Sequence, residues 1–197
     1  MALRKVEAAR RQLGSALALY LQDHDPVSVH CLAGGGCELI EYYAQKAGGE
    51  PFSSHALATF PDLDVRELRR LQRQYWNAFK HATHQHGGGE REDDDLLAAF
   101  TDEQNDHALF IGWYDYGMVE ALPMEAQVHQ IWYFALHPEK LNPDQELPLE
   151  MLFPDLRSRP RGEQKRMLNV QIGKAKSVAD FMNDPKTDRR PLIIDWP

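Results

Sequence analysis

The residues whose types and spacing best suit chemistry lie at the end of one strongly patterned segment. Asn77, His81 and His84 follow one another at intervals of four and three residues, so an α-helix would place them on one side. Histidine exchanges protons near neutral pH, and amide or guanidinium groups can orient a phosphate or a carboxylate. The stripe continues upstream, and it predicts a polar binding pocket formed by Arg70, Gln74, Asn77, His81 and His84.

Two interpretations of this stripe stay open. As a catalytic site it would use Asn77 and His81 together with Arg73, which flanks the stripe. As a structural feature, Asn77 and His81 would form a buried polar network with neighbouring helices, as polar groups enclosed in a protein usually do. An enzyme requires His81 to open into a cleft, whereas a network requires it to be enclosed and hydrogen-bonded.

A metal site is a different hypothesis for the same histidines. Helical bundles build metal centres from side chains on facing helices, and zinc accepts histidine and carboxylate ligands. Nine histidines in 197 residues also produce chance pairs, so the sequence favours no bound metal and no cofactor. A metal-dependent hydrolase would draw its ligands from His30, Glu38, Glu41, His81, His84, Glu103 and His107.

Helical periodicity dominates the chain and predicts an all-α protein, a bundle of five or six helices. The pattern from Asp62 or Asp64 to Ala82 predicts a third helix packed inside the protein. The run 109–119 is apolar on nearly every side, which is typical of a central helix. The predicted helices cover residues 3–22, 26–47, 62 or 64 to the glycines at 87–89, 101–122, 123–137 and 162–182.

The second helix contains three consecutive glycines, Gly34, Gly35 and Gly36. Each costs about 1 kcal/mol relative to alanine in a helix, so the triplet is either a break or a flat surface against which another helix packs closely. The pattern resumes after it, which favours close packing. Cys31 and Cys37 lie six residues apart, where a helix points them away from each other, so we expect free thiols.

The predicted organisation is a helical bundle over residues 1–138 and a C-terminal extension over 139–197 packed on it. The extension consists of a proline-rich irregular segment, the last helix and an extended tail, 192–196, that docks. No apolar run is long enough to span a membrane, and the N-terminus lacks the apolar core of a secretory signal. Together with free thiols, this predicts a cytoplasmic protein with no membrane partner.

The net charge of −8 disfavours nucleic-acid binding by the whole molecule. Charge is unevenly distributed, because residues 157–176 are basic and residues 90–95 are acidic. The ordinary interpretation of both is solvated surface. Nucleic acid would bind only through the basic stretch, and the sequence leaves open a protein partner, a small ligand or a homodimer.

The segment Asn77-Ala78-Phe79-Lys80-His81-Ala82, preceded by the helix start at Asp25-Pro26, resembles uncharacterised bacterial helical proteins with an N-x-F-K-H-A signature. More distantly it is similar to the HEPN superfamily of all-α bundles, whose nucleases use an Arg, a polar residue and a His at the scissile phosphodiester. The resemblance implies that Asn77 and His81 occupy the polar and His positions. The Arg position falls on Trp76, which cannot stabilise phosphate charge as a guanidinium does.

This departure favours a HEPN-like binding or interaction module of unknown ligand without catalytic activity. The first alternative is a metal-independent HEPN-type ribonuclease, in which a displaced Arg73 acts with Asn77 and His81. The second is the metal-dependent hydrolase built on the His/Glu cluster.

Overall fold

The computed structural model describes residues 3–84, 89–141 and 146–195. The all-α prediction is confirmed, since the described ranges contain ten α-helices and a single pair of two-residue parallel strands. The strands are β1 (Leu122–Pro123) and β2 (Thr187–Asp188). The helices are α1 (Lys5–Leu21), α2 (Pro26–Lys46), α3 (Phe52–Thr59), α4 (Val65–Lys80), α5 (Asp94–Ala98), α6 (Glu103–Gly117), α7 (Met124–Leu136), α8 (Leu149–Leu152), α9 (Arg161–Ala175) and α10 (Ala179–Asn183).

Each of the six predicted segments contains a helix, and three short helices were not predicted. These three, α3, α5 and α8, have eight residues or fewer. Such lengths are too short for an apolar stripe to repeat, so the periodicity of the sequence does not reveal them. The last predicted helix is also two helices, because the chain turns between Ala175 and Ala179.

The chain divides into two compact units, Met1–Val119 and Glu120–Pro197. The division falls before α7, whereas the sequence placed it after residue 138. The reason is that α7 packs against α8 and α9 in the second unit. Trp132 of α7 is fully buried and its Nε1 donates a hydrogen bond to the Gln164 carbonyl of α9 at 3.0 Å.

In the first unit, α2 packs along both α1 and α6, and these three helices supply most of the core. The prediction that residues 109–119 form a central helix is confirmed at Leu109, Trp113 and Tyr116, which are buried. The side chains without any exposed surface include Leu13, Leu17, Tyr20, Ile40, Leu109 and Trp113.

The prediction that the third helix lies inside is wrong. That helix is α4, and within it only Leu68 is buried, while Val65 and Leu71 are 46% and 40% exposed. Its apolar stripe is flanked by Arg66, Arg69 and other polar residues, so the helix lies at the surface with one side turned to the protein.

Close helix packing explains the glycine triplet, and α2 continues through it without a break. A Cβ atom on Gly34 would lie 2.5 Å from Cγ of Trp76, and one on Gly36 would lie 2.6 Å from Cγ of Leu13. Any side chain at these positions would therefore force its neighbour away. The triplet is the flat surface on which α1 and α4 approach α2.

Local capping rules identify the starts of α2 and α4 correctly. The Asp25 side chain accepts hydrogen bonds from the backbone N–H groups of Val27 and Ser28, and Asp64 accepts one from Glu67 at 2.8 Å. Such caps satisfy backbone donors that have no partner within the helix. After α2 the chain leaves through Gly48, whose φ of +80° is a conformation that favours glycine.

In the second unit, the basic stretch 157–176 is ordered mainly as α9. Arg166 pairs with Glu163 at 3.0 Å, and Lys176 pairs with Glu125 of α7 at 3.6 Å. Of the predicted docked tail, Leu192 is buried and Ile193 is 54% exposed, while Trp196 lies outside the described residues. None of the helices that the structure describes has the length and apolar composition needed to span a membrane.

Candidate functional site

The polar stripe predicted on α4 does not form a network among the described residues. Arg70 is exposed and binds Glu67 of its own helix at 2.6 Å. Gln74 and Asn77 are half-buried, and their side chains make no hydrogen bond with any residue that the structure describes. His81 ends the helix as a half-buried residue, and His84 beyond it is exposed, while His86 lies outside the described ranges.

The side of α4 that packs on the protein carries Leu68, which is buried, and Tyr75 and Phe79, whose rings contact His30 and Phe100. Bordering it is a row that meets α2 and is displaced from the predicted stripe by one residue, or about 100° around the helix axis. This row consists of Arg69, Arg73, Trp76 and Lys80. Both arginines reach Glu41 of α2, and Trp76 packs on Gly34. Lys80 extends along the helix and places its Nζ 4.0 Å from the centre of the Trp76 ring.

This side of α4 closes a cleft with α2, α3 and α6. The cavity has a volume of about 40 Å³, which is room for roughly three water molecules at ~10–15 Å³ each. Its lining alternates charged and apolar side chains. The lining residues are His30, Gly34, Cys37, Glu38, Glu41, Ser53, Gln72, Arg73, Trp76, Ala108, Ile111 and Asp115.

Arg73 carries the positive charge of the cleft and is held by two glutamates of α2. Its Nη2 donates to Glu41 Oε2 at 3.0 Å, and its Nη1 lies 3.2 Å from Glu38 Oε2. The Glu41 side chain is only 13% exposed, and Arg69 Nη2 lies 3.5 Å from its other oxygen. Arg73, which the sequence suggested as a catalytic residue, therefore takes part in an ion-pair cluster that joins α4 to α2.

Asp115 is the most perturbed carboxyl group of the cleft. It is 2% exposed, and its Oδ1 accepts a hydrogen bond from the Phe52 backbone N–H, at the start of α3, at 2.7 Å. Burial, and then the negative charge of Glu41, raise the pKa of Asp115 to about 7, against the lowering effect of the Phe52 hydrogen bond. Its Oδ2 receives no hydrogen bond from any described residue.

His30 lies at the other end of the cleft, and Asn105 sets its tautomer. The Asn105 amide nitrogen donates to the Pro26 carbonyl at 3.0 Å, so its oxygen faces His30 Nδ1 at 2.9 Å and accepts a hydrogen from it. Nε2 is then left as a hydrogen-bond acceptor. Burial lowers the pKa of His30, which the Asn105 contact partly offsets, so the ring is neutral at neutral pH.

Cys37 lies between these two ends and behaves as an inert thiol. Its Sγ–H donates to the Ala108 carbonyl at 3.3 Å, and burial raises the pKa of the thiol far above its usual range. A thiol of this kind is neither a nucleophile nor a ready metal ligand. The prediction that Cys31 and Cys37 are free thiols is confirmed.

The seven candidate metal ligands do not converge on one point. His30 binds Asn105, and Glu38 and Glu41 bind Arg73. Within residues 3–84, 89–141 and 146–195, no three His, Cys, Asp or Glu side chains are arranged to hold a metal ion. Of the remaining candidates, Glu103 and His84 are exposed, and His81 and His107 are half-buried.

We expect the Arg73→Met variant to lose stability, measured as the free energy of unfolding in urea. The substitution keeps the aliphatic bulk but leaves Glu41, a mostly buried carboxylate, with only Arg69 at 3.5 Å. The expected loss is about 1–3 kcal/mol, toward the lower end of what breaking an enclosed ion pair costs. Arg70→Met on the same helix is the matched control, because its exposed pair with Glu67 contributes little. Equal losses in the two variants would contradict this account.

Sequence reasoning named His30, Glu38, Glu41 and Arg73 but missed Asp115. The signal for Asp115 was present, since it is the only charged residue in the otherwise apolar run 109–119. A charged residue on a central helix is rarely buried without a partner or a function. No family model, curated protein or solved structure matches the chain, so the chemistry of this site rests on its own residues.

Proposed function

We propose that this chain is a HEPN-like helical module that binds a small ligand in the cleft of α2, α3, α4 and α6, without catalysing a reaction. The observation that carries the proposal is Asp115, a buried carboxyl group whose pKa is raised to about 7 and whose second oxygen has no partner among the described residues. Burial of such a group costs stability, and groups perturbed in this way concentrate at binding and catalytic sites. A ligand that pairs with Asp115 would offset this cost.

Other observations support the fold, the compartment and the kinship that this proposal includes. The packing of α1 and α6 on α2, and of α4 on α2, supports a helical bundle as the form of the first unit. The free thiols Cys31 and Cys37 support a reducing compartment such as the cytosol. The likeness of residues 77–82 to the N-x-F-K-H-A signature is the basis for proposing HEPN-like kinship.

The ribonuclease alternative has less support. It requires Arg73 and His81 to act on one phosphodiester, yet eight residues of helix separate them by roughly 12 Å along the axis. Glu38 and Glu41 already bind the Arg73 guanidinium, and a phosphate would have to displace them. We therefore propose binding rather than RNA cleavage.

The test is an NMR screen of the ¹⁵N-labelled full chain against small polar molecules of positive, neutral and negative charge. We expect at least one class to shift the amide resonances of cleft residues such as Gly34, Glu41 and Asp115. The Ser53→Leu variant should abolish these shifts, because Ser53 lines the cleft and a leucine side chain would fill it. The matched control is Ser54→Leu, whose exposed side chain is not part of the lining.

Two results would contradict this function. One is a screen in which no class shifts the cleft resonances. The other is cleavage of single-stranded RNA by the purified protein that the His81→Ala variant loses, which would establish the ribonuclease alternative instead.

A further inference from the structure

The charges around the acidic end of the cleft do not balance. Three carboxyl groups, Glu38, Glu41 and Asp115, lie together with two guanidinium groups, Arg69 and Arg73. Both arginines bind glutamates, and Asp115 has only the Phe52 backbone N–H. When Asp115 is ionised, the cluster therefore carries one excess negative charge in an enclosed place, where a charge is expensive unless it is paired.

At the acidic end of the cleft and at His30, the groups that receive no hydrogen bond are acceptors, while Ser53 and Gln72 add uncharged donors to the lining. Asp115 Oδ2 and His30 Nε2 receive no hydrogen bond from any residue in the described ranges. The strongest donor, the Arg73 guanidinium, is occupied by Glu38 and Glu41. A ligand that satisfies the acidic end must therefore donate hydrogen bonds and carry a positive charge, as an ammonium group does.

The wall of the cleft beyond Asp115 is apolar. Ala108, Ile111 and Asp115 follow at intervals of three and four residues on α6, so they line one side of that helix. Trp76 of α4 also contributes to the lining. A short alkyl chain fits such a surface, whereas the Trp76 ring already has the Lys80 ammonium group as its cation.

We propose that the cleft binds a small primary alkylamine, with the ammonium group paired to Asp115 beside Glu41 and the short alkyl chain along Ala108, Ile111 and Trp76. This inference rests on the proposed function and adds the chemical class of the ligand. The volume of about 40 Å³ limits the enclosed part to a few heavy atoms. Longer amines would extend from the cleft into solvent.

The titratable groups that face Asp115 determine how binding depends on pH. They are Glu41 and Cys37 of α2, Arg73 of α4 and the adjacent Tyr114 of α6. Burial raises the pKa values of Cys37 and Tyr114, so both stay neutral near pH 7. Asp115 is then the group that changes charge between pH 5 and 8, and its protonation removes the charge that holds an ammonium group.

The test uses three probes of similar shape on the ¹⁵N-labelled full chain: propylammonium, 1-propanol and propionate. At pH 8 we expect propylammonium to shift the resonances of Asp115, Glu41 and Ile111, with an affinity at least tenfold higher than that of either other probe. Its affinity should fall at least fivefold at pH 5. The Asp115→Asn variant, which keeps an acceptor for the Phe52 N–H, should bind propylammonium at least tenfold more weakly, while Glu67→Gln on the exposed side of α4 should bind it unchanged.

The outcomes separate this inference from the function on which it rests. If 1-propanol or propionate shifts the cleft resonances as strongly as propylammonium, the amine class is wrong and binding in the cleft stands. If Asp115→Asn binds the amine unchanged, the pairing with Asp115 is wrong. If propylammonium binds equally at pH 5 and pH 8, Asp115 does not hold the ammonium group. If none of the three probes shifts the cleft resonances and the wider screen also finds no binder, the inference and the proposed function fail together.

Discussion

The Asp115→Asn variant is expected to be more stable than the parent protein above pH 7, with the difference disappearing toward pH 4. Burial and the charge of Glu41 raise the pKa of Asp115 from 3.8 to about 7 in the folded protein. A carboxyl group with a raised pKa contributes stability that is fully present below pH 3.8 and is lost as the pH rises through about 7. Each tenfold change in proton affinity is worth ~1.4 kcal/mol, so the full effect is of the order of 4 kcal/mol.

This effect is large beside the total stability of an ordinary domain, about 5–15 kcal/mol. The measurement is the free energy of unfolding in urea at pH 4.5, 6 and 8 for both proteins. Asparagine can still accept the hydrogen bond from the Phe52 N–H, so the variant removes the charge and keeps the contact.

Asp93→Asn is the control, because its linkage has the opposite sign. The side-chain hydrogen bonds from Arg91 hold the pKa of the half-buried Asp93 below its usual value. The parent Asp93 therefore contributes a small stability at neutral pH that is lost as the pH falls below the unfolded value of 3.8. If the stability curves of Asp115→Asn and the parent ran parallel from pH 4.5 to 8, Asp115 would not be a neutral buried acid, and the pairing we propose would lose its basis.

The features that the sequence predicts well are those determined by neighbouring residues. The helix starts at Asp25 and Asp64 need only a side chain that reaches the next backbone N–H groups, and both are observed. Helix α3 has no such cap. Its first N–H group, on Phe52, donates to Asp115, which lies 63 residues further along the chain, and the Phe52 ring packs on Phe110. A helix that begins on a distant side chain cannot be recognised from local pattern.

The same limit explains why the sequence placed the candidate site on a different side of α4 from the cleft. Periodicity predicts that α4 has a polar stripe, but it does not determine which of two adjacent rows of polar side chains meets α2. That choice depends on Gly34, whose missing side chain leaves space for Trp76 and so turns Arg73 toward Glu38 and Glu41. The sequence marks Trp76 only as the residue at the position where an arginine was expected, whereas in the structure it packs on α2 and lines the cleft.

Gly112 of α6 allows α1 and α2 to approach this helix closely. A Cβ atom there would overlap Cδ2 of Leu13 and lie 3.0 Å from Sγ of Cys37. Leu13 has no exposed surface, and its side chain also lies so close to Gly36 of α2 that a Cβ atom there would be 2.6 Å from its Cγ, so it has no space into which it can move. We expect Gly112→Ala to lower the free energy of unfolding by about 1–3 kcal/mol. This loss would exceed the gain of about 1 kcal/mol that alanine brings to a helix.

Gly173→Ala is the control that shows whether the loss at Gly112 comes from close packing, because Gly173 has open space around it. A Cβ atom on Gly173 of α9 would have nothing within 4 Å, so Gly173→Ala should raise stability by up to about 1 kcal/mol. The Leu13→Ala variant tests the same contact from the other partner. It should lower the free energy of unfolding by about 2–5 kcal/mol by itself, because it leaves a cavity in the core.

In the Leu13→Ala background, Gly112→Ala should lower stability by less than in the parent, because the added methyl group enters the cavity that leucine leaves. If Gly112→Ala stabilised the parent as Gly173→Ala does, or if its cost were unchanged in the Leu13→Ala background, the contact of α6 with Leu13 would not be what requires glycine at position 112.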